Sequence, residues 1–143
     1  MTSIPLDGEI RDGRHVLTVR VYYEDTDFTG IVYHASYLRF MERGRTNYLR
    51  MIGADHRALF EETAKEAPGF AFVVRSMNIE FLKPARMDDV LEVLTEPHDV
   101  KGASAMVRSQ FRPSNCLTSS AARSTPSRQR ALTSILSGSE RGT

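Results

Sequence analysis

The chain has 143 residues, 41% of them hydrophobic, with 19 Lys and Arg against 18 Asp and Glu for a formal charge of +1. That length suffices for one domain whose core buries roughly two-thirds of the surface its unfolded chain exposes, and a near-zero charge with both signs interspersed gives no basis for nucleic-acid binding. Cys116 is the sole cysteine, which excludes an intrachain disulfide, and no apolar run approaches the length of a membrane span.

Residues 1–14 carry Pro5, Gly8 and Gly13 among mixed charges without a period, and a flexible lead-in is expected there. Acids and glycines stand where a secretory signal has a basic start and an apolar middle, so the expected location is the cytoplasm. From His15 onward Leu17, Val19, Val21 and Tyr23 alternate with Thr18, Arg20 and Tyr22, the pattern of a half-buried strand ending near Glu24.

An acidic turn follows, with Asp25 and Asp27 on it and Gly30 supplying the freedom to bend, and it runs straight into a segment of helical period at His34. Tyr37, Phe40, Met41, Gly44, Tyr48 and Met51 form one apolar stripe, while Arg39, Glu42, Arg43, Arg45 and Arg50 fall mostly outside it. With Ser36 as N-cap and Gly53 as C-cap, the predicted helix spans about Tyr37 to Ile52. Glycine within such a stripe costs about 1 kcal/mol relative to alanine, so Gly44 predicts a close approach of the helix backbone to a sheet. A shorter helix with Leu59, Phe60 and Ala64 on its apolar side is expected between Asp55 and Pro68.

From Phe70 the period changes to two, predicting a long strand with Val73, Arg75, Met77, Ile79 and Phe81 on one face. A basic turn from Lys83 to Arg86 leads to a strand over Asp88 to Thr95 that Pro97 should end, and Ala103 to Phe111 is a further strand with Ala105, Val107, Ser109 and Phe111 on one face. Together these make an α+β domain over residues 15–112 in which a long helix packs on a curled antiparallel sheet. Residues 113–143 lose the alternation, contain one acid, Glu140, and no aromatic residue, and are expected to be disordered apart from a helical turn or two around Ala131 to Leu136. So abrupt a change is what an altered reading frame leaves, and the neighbouring frames of the encoding DNA test that reading.

Asp25, Asp27 and His34 by themselves admit three readings. The aspartates could satisfy backbone amides in a turn, the three could begin a metal site for which no further ligands are apparent, or they could perform acid–base or nucleophilic catalysis at a helix N-terminus, where free N–H groups stabilise an oxyanion. Cys116 and the scattered His15, His56 and His98 form no cluster with them.

The run Tyr22-Tyr23-Glu24-Asp25-Thr26-Asp27, then Gly30-Ile31-Val32-Tyr33-His34, then Tyr37-Leu38, Phe40 and Glu42-Arg43 closely resembles the signature of the YbgC-like acyl-CoA thioesterases. These are the Tol-Pal-associated branch of the 4-hydroxybenzoyl-CoA thioesterase group with the hotdog fold. A second block agrees, with Phe72-Val73-Val74-Arg75, Glu80-Phe81, Pro84-Ala85-Arg86 and Asp88-Asp89. The resemblance runs from about Val19 to Phe111, and beyond it the family's closing strand is in doubt. It implies a long central helix wrapped by an antiparallel sheet, a homodimer or homotetramer, and acyl-CoA at the interface between copies as substrate, with no other cofactor and no metal. Cell-envelope or lipid-synthesis proteins are partners implied by resemblance alone. It matches Asp27 to the catalytic carboxylate, as nucleophile or as base for water. It matches the His34 backbone N–H to the oxyanion donor, the His34 imidazole to an assisting group, and Tyr23 to a tyrosine lining the site. Gly30, Val32 and Tyr33 belong to the substrate-facing loop, and Arg75, Lys83 and Arg86 are candidates for the phosphates of coenzyme A. A non-catalytic acyl-binding protein is the competing function.

Overall fold

The computed structural model describes residues 6–52, 71–101, 104–114 and 129–138. The short helix expected after Asp55 lies outside them. The elements are β1 (Glu9–Arg11), β2 (Arg14–Arg20), a 3-10 turn (Tyr23–Asp25), α1 (His34–Met51), β3 (Ala71–Phe81), β4 (Val90–Lys101), β5 (Ser104–Pro113) and β6 (Gln129–Gly138). The six strands form one antiparallel sheet in the order β1-β2-β4-β5-β6-β3, with α1 against its inner face. This is the long helix on an antiparallel sheet that the resemblance implies.

Burial along α1 follows the predicted stripe through Tyr37, Phe40, Met41 and Gly44, and relaxes at Tyr48 and Met51 as the helix leaves the sheet. Phe40 and Phe111 meet at the centre with Leu91, Val93 and Met41, and their rings, with that of Tyr37, form a cluster with centroids 5.3–6.4 Å apart. Each such aromatic buries enough apolar area to contribute about 1.5–3 kcal/mol. A Cβ on Gly44 would lie 2.8 Å from Thr95 Oγ1 and 3.2 Å from Val93 Cγ1, so the close approach of helix to sheet expected from that glycine is present.

The helix begins earlier than predicted, with Tyr33 rather than Ser36 as N-cap. The chain stays extended through Val32, which bridges Thr26, and the Tyr33 N–H is donated to the Asp25 carbonyl at 2.9 Å. Ser36 therefore falls inside the first turn and is buried. Arg45, expected outside the stripe, is also buried. Its Nη1 donates to Thr133 Oγ1 at 3.3 Å and its Nη2 pairs with Glu42, because the sheet curls far enough round α1 to cover this flank.

Three strand assignments differ from expectation. Residues 9–11, placed in the lead-in, form a hairpin with β2 whose two-residue loop is Asp12-Gly13, both at positive φ (53° and 75°). Asp-Gly is the strongest short hairpin signal because both loop residues must adopt that conformation. Pro97 does not end β4, which continues to Lys101. β2 pairs with β4 only as far as Thr95, so Pro97 lies where β4 has β5 alone as neighbour, and a register shift between Pro97 and Asp99 absorbs the missing donor. Lastly, residues 129–138, expected as disorder with a helical turn, form β6 between β5 and β3. Its inward residues Ala131 and Thr133 are small and fully enclosed, and Thr133 accepts the hydrogen bond from Arg45.

The outer face of the sheet carries Arg11 and Arg112 on Glu92, and Arg14 and Arg108 on Glu96. The arginines are half-exposed and the glutamates partly buried, so each pair contributes modestly. β3 ends the sheet with Val73 and Val74 exposed at 58% and 41%.

Candidate active site

Between the 3-10 turn and α1 the chain makes a miniature hairpin. Thr26 bridges Val32, the Asp27 N–H is donated to the Ile31 carbonyl at 2.8 Å, and the Gly30 N–H to the Asp27 carbonyl at 3.0 Å. Gly30 takes φ +82°, the left-handed conformation that glycine adopts without steric cost. The hairpin is tied down at both ends. Asp25 is buried, and its Oδ2 accepts the Tyr22 N–H at 2.9 Å while its carbonyl accepts that of Tyr33. On the far side the Val32 N–H is donated to the Ala85 carbonyl at 2.8 Å, and Ile31 bridges Arg86. Ala85 is in turn held by its N–H, donated to Tyr37 Oη at 3.1 Å. Asp25 therefore anchors the base of the hairpin, while Asp27 lies within it.

Asp27 is left at the edge of a cavity of about 350 Å³ between this hairpin, the first turn of α1 and the segment after β3. Four residues expected at the site share its wall: Asp27, Val32, His34 and Lys83. Ile31, Tyr37 and the run Phe81, Leu82 and Pro84 complete it, and none of these five was singled out for chemistry beforehand. The apolar wall of Phe81, Leu82 and Pro84 comes from a turn that only the fold brings opposite His34. The His34 ring stands 4.3 Å from that of Tyr33 and 6.4 Å from that of Phe81, centroid to centroid. His34 is the first residue of α1, so its backbone N–H has no acceptor within the helix and lies at the positive end of the helix dipole.

The other expected residues stand apart from the cavity wall. Tyr23 starts the 3-10 turn and is 82% exposed, because the strand ends at Arg20 and the turn breaks the alternation that would have carried it inward. Gly30 is at the hairpin tip and Tyr33 is partly exposed against His34. Arg75 is exposed on β3 at a register shift opposite β6, and Arg86 is exposed in the turn before β4 with its N–H donated to Asp89 Oδ2.

Thr29, which sequence reading passed over, touches the carboxylate directly. Its Oγ1 donates to Asp27 Oδ1 at 2.6 Å and its N–H to the same oxygen at 2.8 Å. The Thr29 hydroxyl, with the backbone N–H groups of Thr29 and Ile31, holds Asp27 below its ordinary value of 3.8 against an opposing desolvation effect. A hydroxyl two residues after an aspartate was the available signal. Among the described residues no three His, Cys, Asp or Glu side chains gather as a metal site would require, and no helix is long and apolar enough to cross a membrane.

A carboxylate, an imidazole and a helix N-terminus share one partly apolar cavity, and among the described residues the sheet wraps one long helix, the arrangement of the hotdog class. Residues 29–119 match the thioesterase superfamily. An acyl-CoA thioesterase YbgC from Haemophilus influenzae is 44% identical over 103 residues, 72% of each chain. The acyl-CoA thioester hydrolase YbgC of Escherichia coli is 51% identical over 86 residues, 60% of each chain. A solved Bartonella henselae structure described as a probable thioesterase superposes with a TM-score of 0.75 at 33% identity, covering 91% of this chain and 95% of that one. The chain belongs to the thioesterase superfamily and, within it, to the YbgC-like group.

Proposed function

We propose that the chain hydrolyses acyl-CoA thioesters to a carboxylic acid and free coenzyme A, with Asp27 as the catalytic carboxylate. The observation that carries this reading is the shared wall of Asp27, His34 and the start of α1. A thioester carbonyl in the cavity would meet a carboxylate and the His34 N–H, which has no acceptor within the helix. Asp27 attacks the carbonyl carbon or takes a proton from water that does so. The carbonyl oxygen gains charge as the bond forms, and the helix N-terminus is where that charge is stabilised. Collapse expels the coenzyme A thiolate, leaving the carboxylic acid directly on the water route or an Asp27 anhydride that one water then hydrolyses to the acid and free Asp27, and the His34 imidazole orients that water or assists the carboxylate. Phe81, Leu82 and Pro84 offer the acyl group an apolar wall. Lys83 on the cavity and Arg86 beyond the Ile31 bridge are assigned to the coenzyme A phosphates, with Arg75 further along β3. The reading uses no metal and no additional cofactor.

A homodimer fits the exposed apolar edge at β3, where a second copy adding its own β3 would continue the sheet and cover Val73 and Val74. Tyr23, outside the wall of the single chain, would reach substrate only where such a copy closes the site. A dimer or a tetramer is read by light scattering across a concentration series. The activity is tested by release of free thiol from short, long and aromatic acyl-CoA esters. Turnover of at least one class is expected, and a folded chain that binds these esters without hydrolysing any is a non-catalytic acyl-binding protein.

A further inference from the structure

The Asp27 carboxylate has two oxygens, and the hairpin treats them differently. Both donors of Thr29, the hydroxyl at 2.6 Å and the backbone N–H at 2.8 Å, converge on Oδ1, and the Ile31 N–H adds the smallest of the three pulls on the carboxylate. The Thr29 N–H contact is an ordinary aspartate turn that any residue except proline could make at this position. The hydroxyl contact needs serine or threonine. Gly30 holds the donor in place, since its positive φ and its N–H, donated to the Asp27 carbonyl, close the turn with Thr29 directly over the carboxylate.

We propose that Thr29 is a positioning residue for the thioester reaction, occupying Asp27 Oδ1 so that Oδ2 is the oxygen presented to the substrate. This rests on the catalytic role given to Asp27 above. An oxygen that accepts two hydrogen bonds on a carboxylate is a poor nucleophile and a poor base, so fixing them on one oxygen directs reactivity to the other. It also fixes the carboxylate plane, which a free side chain on a surface hairpin would not keep, and small misplacements of a reacting group are costly in rate. The same hydrogen bonds favour the charged form, so the carboxylate remains ionised further into acid.

The other titratable and charged groups around Asp27 are His34 and Tyr37 from α1, Lys83 after β3, Arg86 across the Ile31 bridge, and Asp25 in its own loop, engaged with the Tyr22 N–H. Thr29→Ala changes none of these charges and leaves the backbone N–H in place, so it isolates the hydroxyl. Thr29 is exposed and enters no core contact, and circular dichroism checks that the fold is retained.

The test is the pH dependence of kcat and KM for the wild type, Thr29→Ala, Thr29→Ser and Asp27→Asn on the best acyl-CoA substrate. In Thr29→Ala the acid limb is expected to move to higher pH by about half a unit or more. Its plateau kcat is expected to fall about threefold to tenfold with KM nearly unchanged. Thr29→Ser, which keeps the hydroxyl, is expected to restore both. A Thr29→Ala profile superimposable on the wild type, or a kcat loss that Thr29→Ser does not recover, overturns the inference while an inactive Asp27→Asn leaves the role of Asp27 standing. Wild-type turnover in Asp27→Asn overturns both together.

Discussion

Replacing Tyr37 by phenylalanine removes one atom and should weaken both the fold and the site. Tyr37 is 2% exposed and its Oη accepts the N–H of Ala85, itself fully buried, at 3.1 Å. The phenyl ring keeps its contacts with Phe40, Phe81 and Phe111, so the apolar burial is nearly unchanged. What is lost is the acceptor, and a buried N–H left without one costs about 1–3 kcal/mol. With a urea m-value of roughly 2 kcal/mol/M, the unfolding midpoint should fall by about 0.5–1.5 M. The comparison is made at fixed protein concentration, since self-association would otherwise shift the midpoint. The same Ala85 accepts the Val32 N–H and so anchors the hairpin carrying Asp27, and kcat should drop with stability even at temperatures where the variant is folded. Amide exchange gives a residue-level check, because the Ala85 N–H should lose protection ahead of its neighbours. An unchanged midpoint together with wild-type protection at Ala85 would refute the reasoning.

Gly44→Ala gains about 1 kcal/mol of helix propensity but drives a methyl to 2.8 Å from Thr95 Oγ1 and 3.2 Å from Val93 Cγ1, and overpacking costs about 1–3 kcal/mol. Net destabilisation is expected in thermal melts, relieved when Thr95→Ala is added, whereas a stabilised single variant would contradict the close approach. Ala131→Asp puts a charge at an enclosed position of β6, and loss of the cooperative transition is expected in denaturant titrations. A variant as stable as the wild type would mean that β6 does not contribute to the core.

The parts of the fold legible in the sequence are those where the pattern is local. The α1 stripe is apolar from Tyr37 to Gly44, and a glycine inside it needs a close neighbour. β5 alternates through Val107, Ser109 and Phe111, all buried. β6 lacked such a signal because its inward residues are Ala131 and Thr133, whose fit depends on the helix opposite and on Arg45. Pro97 read as a stop because its tolerance comes from β2 pairing with β4 only as far as Thr95, a fact of pairing rather than of the residue. At the site, Asp27 and His34 lie seven residues apart on one loop and could be read together. The wall opposite, from Phe81 to Pro84, arrives from β3 and could not. Tyr23 was read onto the inward face of a strand that in fact gives way to a 3-10 turn. Thr29 was legible in principle, as a hydroxyl two residues beyond a carboxylate.

The central claim is that Asp27 carries the chemistry, and it is most directly tested by thiol release from acyl-CoA in Asp27→Asn beside the wild type, with circular dichroism on both. Asparagine keeps the size of the side chain and an oxygen for the Thr29 hydrogen bonds but supplies neither a nucleophilic nor a basic carboxylate. A fall in kcat of about a hundredfold to ten-thousandfold with an unchanged spectrum is the predicted result. Turnover within a few-fold of the wild type from the folded variant would contradict it.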